Sequence, residues 1–181
     1  MKKLLLSSGL LVVFLALAWV VYGFFFGHGS DRREIYDKYF KPCLNYWTTN
    51  AEFKDTLSLA RAAMNYYDKG NYQLAIEAFQ RFEPEKKDEG YYNLYYGISY
   101  LKTDFDNLAI SHLLNASTLF TDFNNIYMTK WFLALAYLKS NRESECVQLL
   151  DEIIRLNASY KSVAAQLETD LKGNYNPFNL F

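Results

Sequence analysis

A four-position pattern recurs three times along this chain and constrains its fold more than any other feature. Ala63 is followed by Tyr66, Ala75 and Phe79, at offsets of 3, 12 and 16 residues. Gly97, Tyr100, Ala109 and Leu113 repeat those offsets, and so do Ala134, Tyr137, Cys146 and Leu150. The copies begin 34 and then 37 residues apart. A small residue and an aromatic three positions later share one face of a helix. Turn-forming residues follow: Lys69-Gly70-Asn71, Thr103-Asp104 and Ser140-Asn141. Gly and Asn enter the left-handed conformation that ends a helix readily, and Asp less so. A second helix then turns Ala75, Ala109 or Cys146 inward, where a small side chain lets two helices approach closely. Each copy is a helix-turn-helix pair whose apolar face cannot be buried alone. Stacked pairs bury a continuous core. The fold class that follows is all-α.

The run from Ala63 to Phe79, AMNYYDKGNYQLAIEAF, resembles the core of the tetratricopeptide repeat (TPR), small-x-x-Tyr-x-x-x-Gly-x-Tyr-x-x-Ala-x-x-x-Phe. The other copies depart from it. Asp104 and Asn141 stand at the turn Gly, Asp106 and Glu143 at the following Tyr, and Pro84 falls three residues ahead of the Pro that often ends a repeat. The resemblance spans Asp55 to Ala158. It implies a TPR-like α-solenoid of three repeats over 54–158, whose first helices line a concave groove used to bind other proteins. Fold alone does not choose the partner. On that implication the groove carries Leu57, Ala60, Met64 and Tyr67 from the first copy. The second contributes Tyr91, Leu94, Ile98 and Leu101, and the third Met128, Trp131, Leu135 and Leu138. Only Lys102 and Lys139 lie at its edge, a poor clamp for an anionic peptide terminus. An open patch of this size exceeds what soluble monomers tolerate. Either these positions are core, or they are covered by the aromatic segment Tyr36–Trp47, by the tail 174–181, or by a partner's apolar helix.

Periodicity predicts helices at Lys54–Lys69 and Tyr72–Phe82, Asp88–Thr103 and Phe105–Leu119, then Ile126–Ser140 and Arg142–Arg155. A polar-faced capping helix over Ser159–Leu171, within 159–173, closes the stack and ends at Gly173. Asp31–Phe40 reads as helical and joins the stack through Lys41–Asn50, inside a pre-repeat segment at 28–53. The extra residues between the second and third copies read as a long loop at Ser117–Asn125, where partner contacts concentrate.

The first 27 residues are a separate object. Leu4 to Phe26 is 23 residues without a charge, about 34 Å as a helix and enough for a hydrocarbon core of about 30 Å. A cleaved signal peptide, cut after Ala16-Leu17-Ala18, is the competing reading. It would leave Trp19–Phe26 exposed on the product, so a single-pass anchor at 1–27 is favoured. Lys2 and Lys3 before the helix suit an exported soluble domain, although Arg32, Arg33, Lys38 and Lys41 follow it. Cys43 and Cys146 imply no disulfide framework.

Chemistry is sparse. His28 and His112 have no ligand-spaced neighbours, so neither metal nor cofactor is expected. No phosphate loop or nucleophile motif is present. A net charge of −1 lacks a nucleic-acid footprint. The sequons at Asn115 and Asn157 carry no weight. The function expected is non-enzymatic: a membrane-anchored scaffold or assembly factor that binds another protein of the same membrane system, with no small-molecule substrate. Alternatives are a structural accessory subunit of a larger membrane complex, and an enzyme with an unrecognised site.

Overall fold

The computed structural model describes residues 32–48, 58–156 and 159–174, together with the isolated positions Leu15 and Ala18, both helical. The expected anchor Leu4–Phe26 otherwise lies outside the described residues, as do Leu57 and the tail 175–181. Among the described residues no helix is long and apolar enough to cross a membrane.

The described elements are all α-helical. Helix α1 covers residues 32–39, followed by a non-helical strap at 40–48. Then come α2 (Ser58–Asp68), α3 (Tyr72–Phe79), α4 (Glu89–Lys102) and α5 (Asp106–Leu119). The last three are α6 (Phe123–Lys139), α7 (Glu143–Arg155) and α8 (Lys161–Asn174). From α2 onward each helix packs on the next, and α4 also touches both α2 and α6.

The three turns inside the pairs share one geometry. Gly70, Asp104 and Asn141 all have positive φ, at 74°, 63° and 58°. Asn71 N–H donates to Tyr66 C=O at 2.9 Å, Phe105 N–H to Tyr100 C=O at 3.0 Å, and Arg142 N–H to Tyr137 C=O at 2.9 Å. These long closing bonds satisfy carbonyls that a helix end would otherwise leave orphaned. Ala75, Ala109 and Cys146 then donate to Asn71, Phe105 and Arg142 at the start of the second helices.

Helix lengths depart from the sequence expectation in three places. No long loop exists at Ser117–Asn125: α5 runs to Leu119 and α6 begins at Phe123. Asp122 caps α6 early, its Oδ1 accepting from Asn125 N–H at 2.9 Å. The extra residues therefore lengthen a helix, and only 120–122 connect. Helix α3 stops at Phe79, not Phe82. Pro84 disfavours helix at the residue before it, and Phe82 instead turns its ring onto Trp47, Phe79 and Tyr92. Helix α8 continues past Gly173 to Asn174.

Small residues set the closest approaches. Ala63, Ala75, Ala109, Ala134 and Cys146 are fully buried, as are Phe79, Leu113 and Leu150. A Cβ on Gly97 would sit 2.9 Å from Leu113 Cγ and 3.3 Å from the Ala109 carbonyl oxygen. The aromatic positions differ among the copies. Tyr100 is buried beneath Tyr96, Phe105 and His112. Tyr137 is buried with Arg142 over its ring. Tyr66 is exposed.

Candidate functional site

Most of the expected groove is filled by this chain itself. Ala60, Met64, Leu94, Ile98, Leu101, Leu135 and Leu138 are fully buried, and Tyr67, Met128 and Trp131 nearly so; Tyr91 is half-buried. These side chains are core, not a free partner surface. Helix α1 and the strap lie across them. Tyr39 meets Trp131 edge-on at 6.5 Å, Phe40 meets Phe132 at 5.9 Å, and Trp47 lies parallel to both Tyr95 and Phe79 at 6.4 Å.

An extended strap inside a core must find partners for its backbone polar groups, since burying them unpaired is costly. Tyrosines supply them. Tyr67 OH donates to the Cys43 carbonyl at 3.1 Å. Tyr95 OH donates to the Leu44 carbonyl at 2.8 Å and accepts from Tyr46 N–H at 2.7 Å. The Trp47 indole N–H donates to Asp88 Oδ1 at 3.2 Å, and Asp88 is itself buried. Sequence reasoning classed Tyr67 with the groove's apolar residues and did not single out Tyr95; Asp88, whose acidic surroundings read as an exposed connector, is buried instead. The signal available was 16 tyrosines in 181 residues, each with a hydroxyl needing a partner once buried.

Charge pins α1 near both ends of its described residues. Arg32 reaches Asn141 Oδ1 and Glu143 Oε2, each at 3.0 Å, and Arg33 lies 3.5 Å from Asp104. At the other end Lys38 and Tyr39 OH share Asp170 Oδ2 at 2.6 and 2.8 Å. Those bonds hold the Asp170 carboxyl below the usual carboxylate range. Under α1, the Lys139 ammonium donates to the Leu101 carbonyl and Asp104 Oδ1, each at 2.6 Å, and lies 3.1 Å from Asp106. It also faces the Tyr36 ring at 5.1 Å. Lys139 is therefore an internal tie between the second and third pairs. Lys102, expected beside it, lies over Phe40.

What remains open is a cleft of about 910 Å³ between the strap, α6 and α8. Its wall is aromatic: Trp131 stacks on Tyr160 at 5.6 Å with Tyr39 against it, beside Met128 and Val163. At the mouth Leu44 is 72% exposed and Tyr46 48%. Polar groups rim it: Asp122, Asn124, Gln166, and Asn125, whose side-chain amide donates to Tyr91 OH at 3.0 Å. An apolar wall with a polar rim can hold an apolar side chain and orient the backbone around it.

Nucleophiles are not prepared. Burial pushes the Cys43 and Cys146 thiols up to about 12, away from the thiolate form that reacts. Among the described residues no group of His, Cys, Asp and Glu could hold a metal ion. His112 stacks on Tyr100, lies tilted against Tyr96 and bonds Asn93 Oδ1 through Nδ1 at 2.8 Å; burial lowers its pKa. No family model, no curated relative and no solved structure matches this chain.

Proposed function

We propose that this protein is a membrane-anchored, non-enzymatic binding module of TPR-like architecture, and that it engages another protein of its membrane system through the cleft beside the strap. The observation that carries the reading is the exposed pair Leu44 and Tyr46 at the mouth of an aromatic-walled cleft of about 910 Å³. Interface anchors favour aromatic walls ringed by polar groups. The three positive-φ turns with matching closing bonds support the repeat reading, and the uncharged run Leu4–Phe26 supports the anchor. The binding surface is thus displaced from the concave face, already occupied, to its flank.

The test is site-specific cross-linking in the native membrane. A photo-reactive residue at position 44 should capture one defined protein, and one at Leu156, exposed on the end of α7, should not. Leu44→Asp should leave melting unchanged and abolish co-purification in mild detergent. A folded Leu44→Asp variant that keeps the same partner at wild-type yield refutes the cleft as the binding surface. Loss of the partner when Leu4–Phe26 is replaced by an unrelated membrane helix favours the accessory-subunit alternative.

A further inference from the structure

The path of α1 decides which edge of the helical domain faces a membrane. Its first residues are tied to the turns: Arg32 to Asn141 and Glu143, Arg33 to Asp104. The Arg32–Glu143 pair is only 20% and 26% exposed, so it is less screened than an open surface pair. From there α1 runs inward past Lys139 to Tyr39 on Trp131. Those two α6 positions are about 12 Å apart along the helix. The described part of α1 therefore has its N-terminal end at the edge that carries Asp104 and Asn141.

Only five residues, Gly27 to Asp31, separate Phe26 from Arg32. Fully extended, the six steps reach about 21 Å. Helix α6, with 17 residues, spans the domain between its edges, about 26 Å. A tether shorter than the domain cannot bring the opposite edge to the same bilayer.

The turn edge has a surface suited to lipid. Phe105, next to Asp104, is 51% exposed. Leu74 and Leu108, each the third residue of its helix, are 43% and 45% exposed. Lys69 lies exposed nearby, and a long cationic side chain can lay its stem on apolar surface with the ammonium in water. We propose that this edge rests on the bilayer entered by Leu4–Phe26, with Phe105, Leu74 and Leu108 at the headgroup–acyl boundary. The proposal rests on the anchor reading. It turns the cleft outward, because Asn124 and Asn125 at the start of α6, and Ser159 ahead of α8, sit at the far edge.

The test uses the full chain reconstituted in phosphatidylcholine vesicles, with an environment-sensitive fluorophore on a cysteine introduced at one position. Phe105→Cys labels the turn edge. Leu156→Cys labels the far end of α7, about 20 Å away along that helix. Lipid carrying a quencher in its upper acyl chain should reduce the position-105 signal about twofold or more, as expected for a group within about 5–10 Å of the boundary. The position-156 signal should be unaffected. Leu108→Cys supplies a second label on the edge should Phe105→Cys fold poorly. Equal quenching at both ends, or none at 105 and 108 in protein that floats with the vesicles, overturns the proposal and leaves the anchor intact. Protein that fails to float with the vesicles overturns the anchor and this proposal together.

Discussion

Trp47→Ala tests whether the strap belongs to the core or merely lies on it. The indole is fully buried, parallel to Tyr95 and Phe79 at 6.4 Å and tilted against Phe82. Removing a buried Trp side chain costs about 3–5 kcal/mol in transfer and cavity terms. Asp88, buried with its Oδ1 on the indole N–H at 3.2 Å, loses that donor for about 1–3 kcal/mol more, less if water enters the cavity. The sum is about 4–8 kcal/mol, or roughly 12–25 °C at about 3 °C per kcal/mol for a domain of this size. Thermal melting of the full chain in detergent micelles, followed by far-ultraviolet circular dichroism, reads it. Trp47→Phe separates the terms: it keeps a ring for Tyr95 and Phe79 and removes the donor, and should lose about 1–3 kcal/mol. Trp47→Ala should also uncover Tyr95 and Phe79 and increase binding of a hydrophobic dye. If it melts within about two degrees of wild type and binds no more dye, the strap is not a core element.

The α4–α5 contact is as exacting. Gly97→Val drives a branched side chain at Leu113, which is fully buried and cannot move aside, and Ala109→Leu should lose about 1–3 kcal/mol by overpacking. Gly97→Val should be the worse of the two; both melting within a degree of wild type would mean the contact is loose. Asp104 is held below the usual carboxylate range, chiefly by its hydrogen bond from Lys139. Its contribution is complete above the unfolded pKa of about 3.9 and is lost as pH falls through the depressed folded value. Asp104→Asn keeps the left-handed backbone, as Asn141 does at φ 58°, and should flatten the acid limb of urea midpoints plotted against pH. An unchanged slope would remove Asp104 as its cause. For His112 the sign is that of a base whose folded pKa is lowered by burial: the unfolded chain binds the proton more tightly, so stability falls as pH drops below about 6.5. His112→Gln should lessen the fall in urea midpoint between about pH 7.5 and about pH 5.5, and an identical fall in both proteins would refute it.

Local chemistry in the sequence determined the helices and the turns between them. Hydrophobic spacing marks α2 through α8 because a helix buries one face at a fixed period. Gly70, Asp104 and Asn141 mark the turns because few residues accept positive φ. The small positions were legible for a similar reason: Gly97 and Ala109 leave room that larger residues would fill. Helix ends were less so. Asp122 is one acidic residue among several near α6, and only its geometry with Asn125 makes it a cap. The strap was decided by tertiary structure alone. Residues 40–48 carry no helical period, and their partners Tyr67 and Tyr95 lie tens of residues away. In sequence those aromatics are indistinguishable from the lining of an open groove. Whether a ring at such a position meets solvent, a partner or its own chain depends on which backbone groups arrive beside its hydroxyl. The Cys43 and Leu44 carbonyls arrive there through long-range folding. The cleft follows from the same event: its wall belongs to α6 and the start of α8, its mouth to the strap, and none of it exists until the strap has crossed the stack.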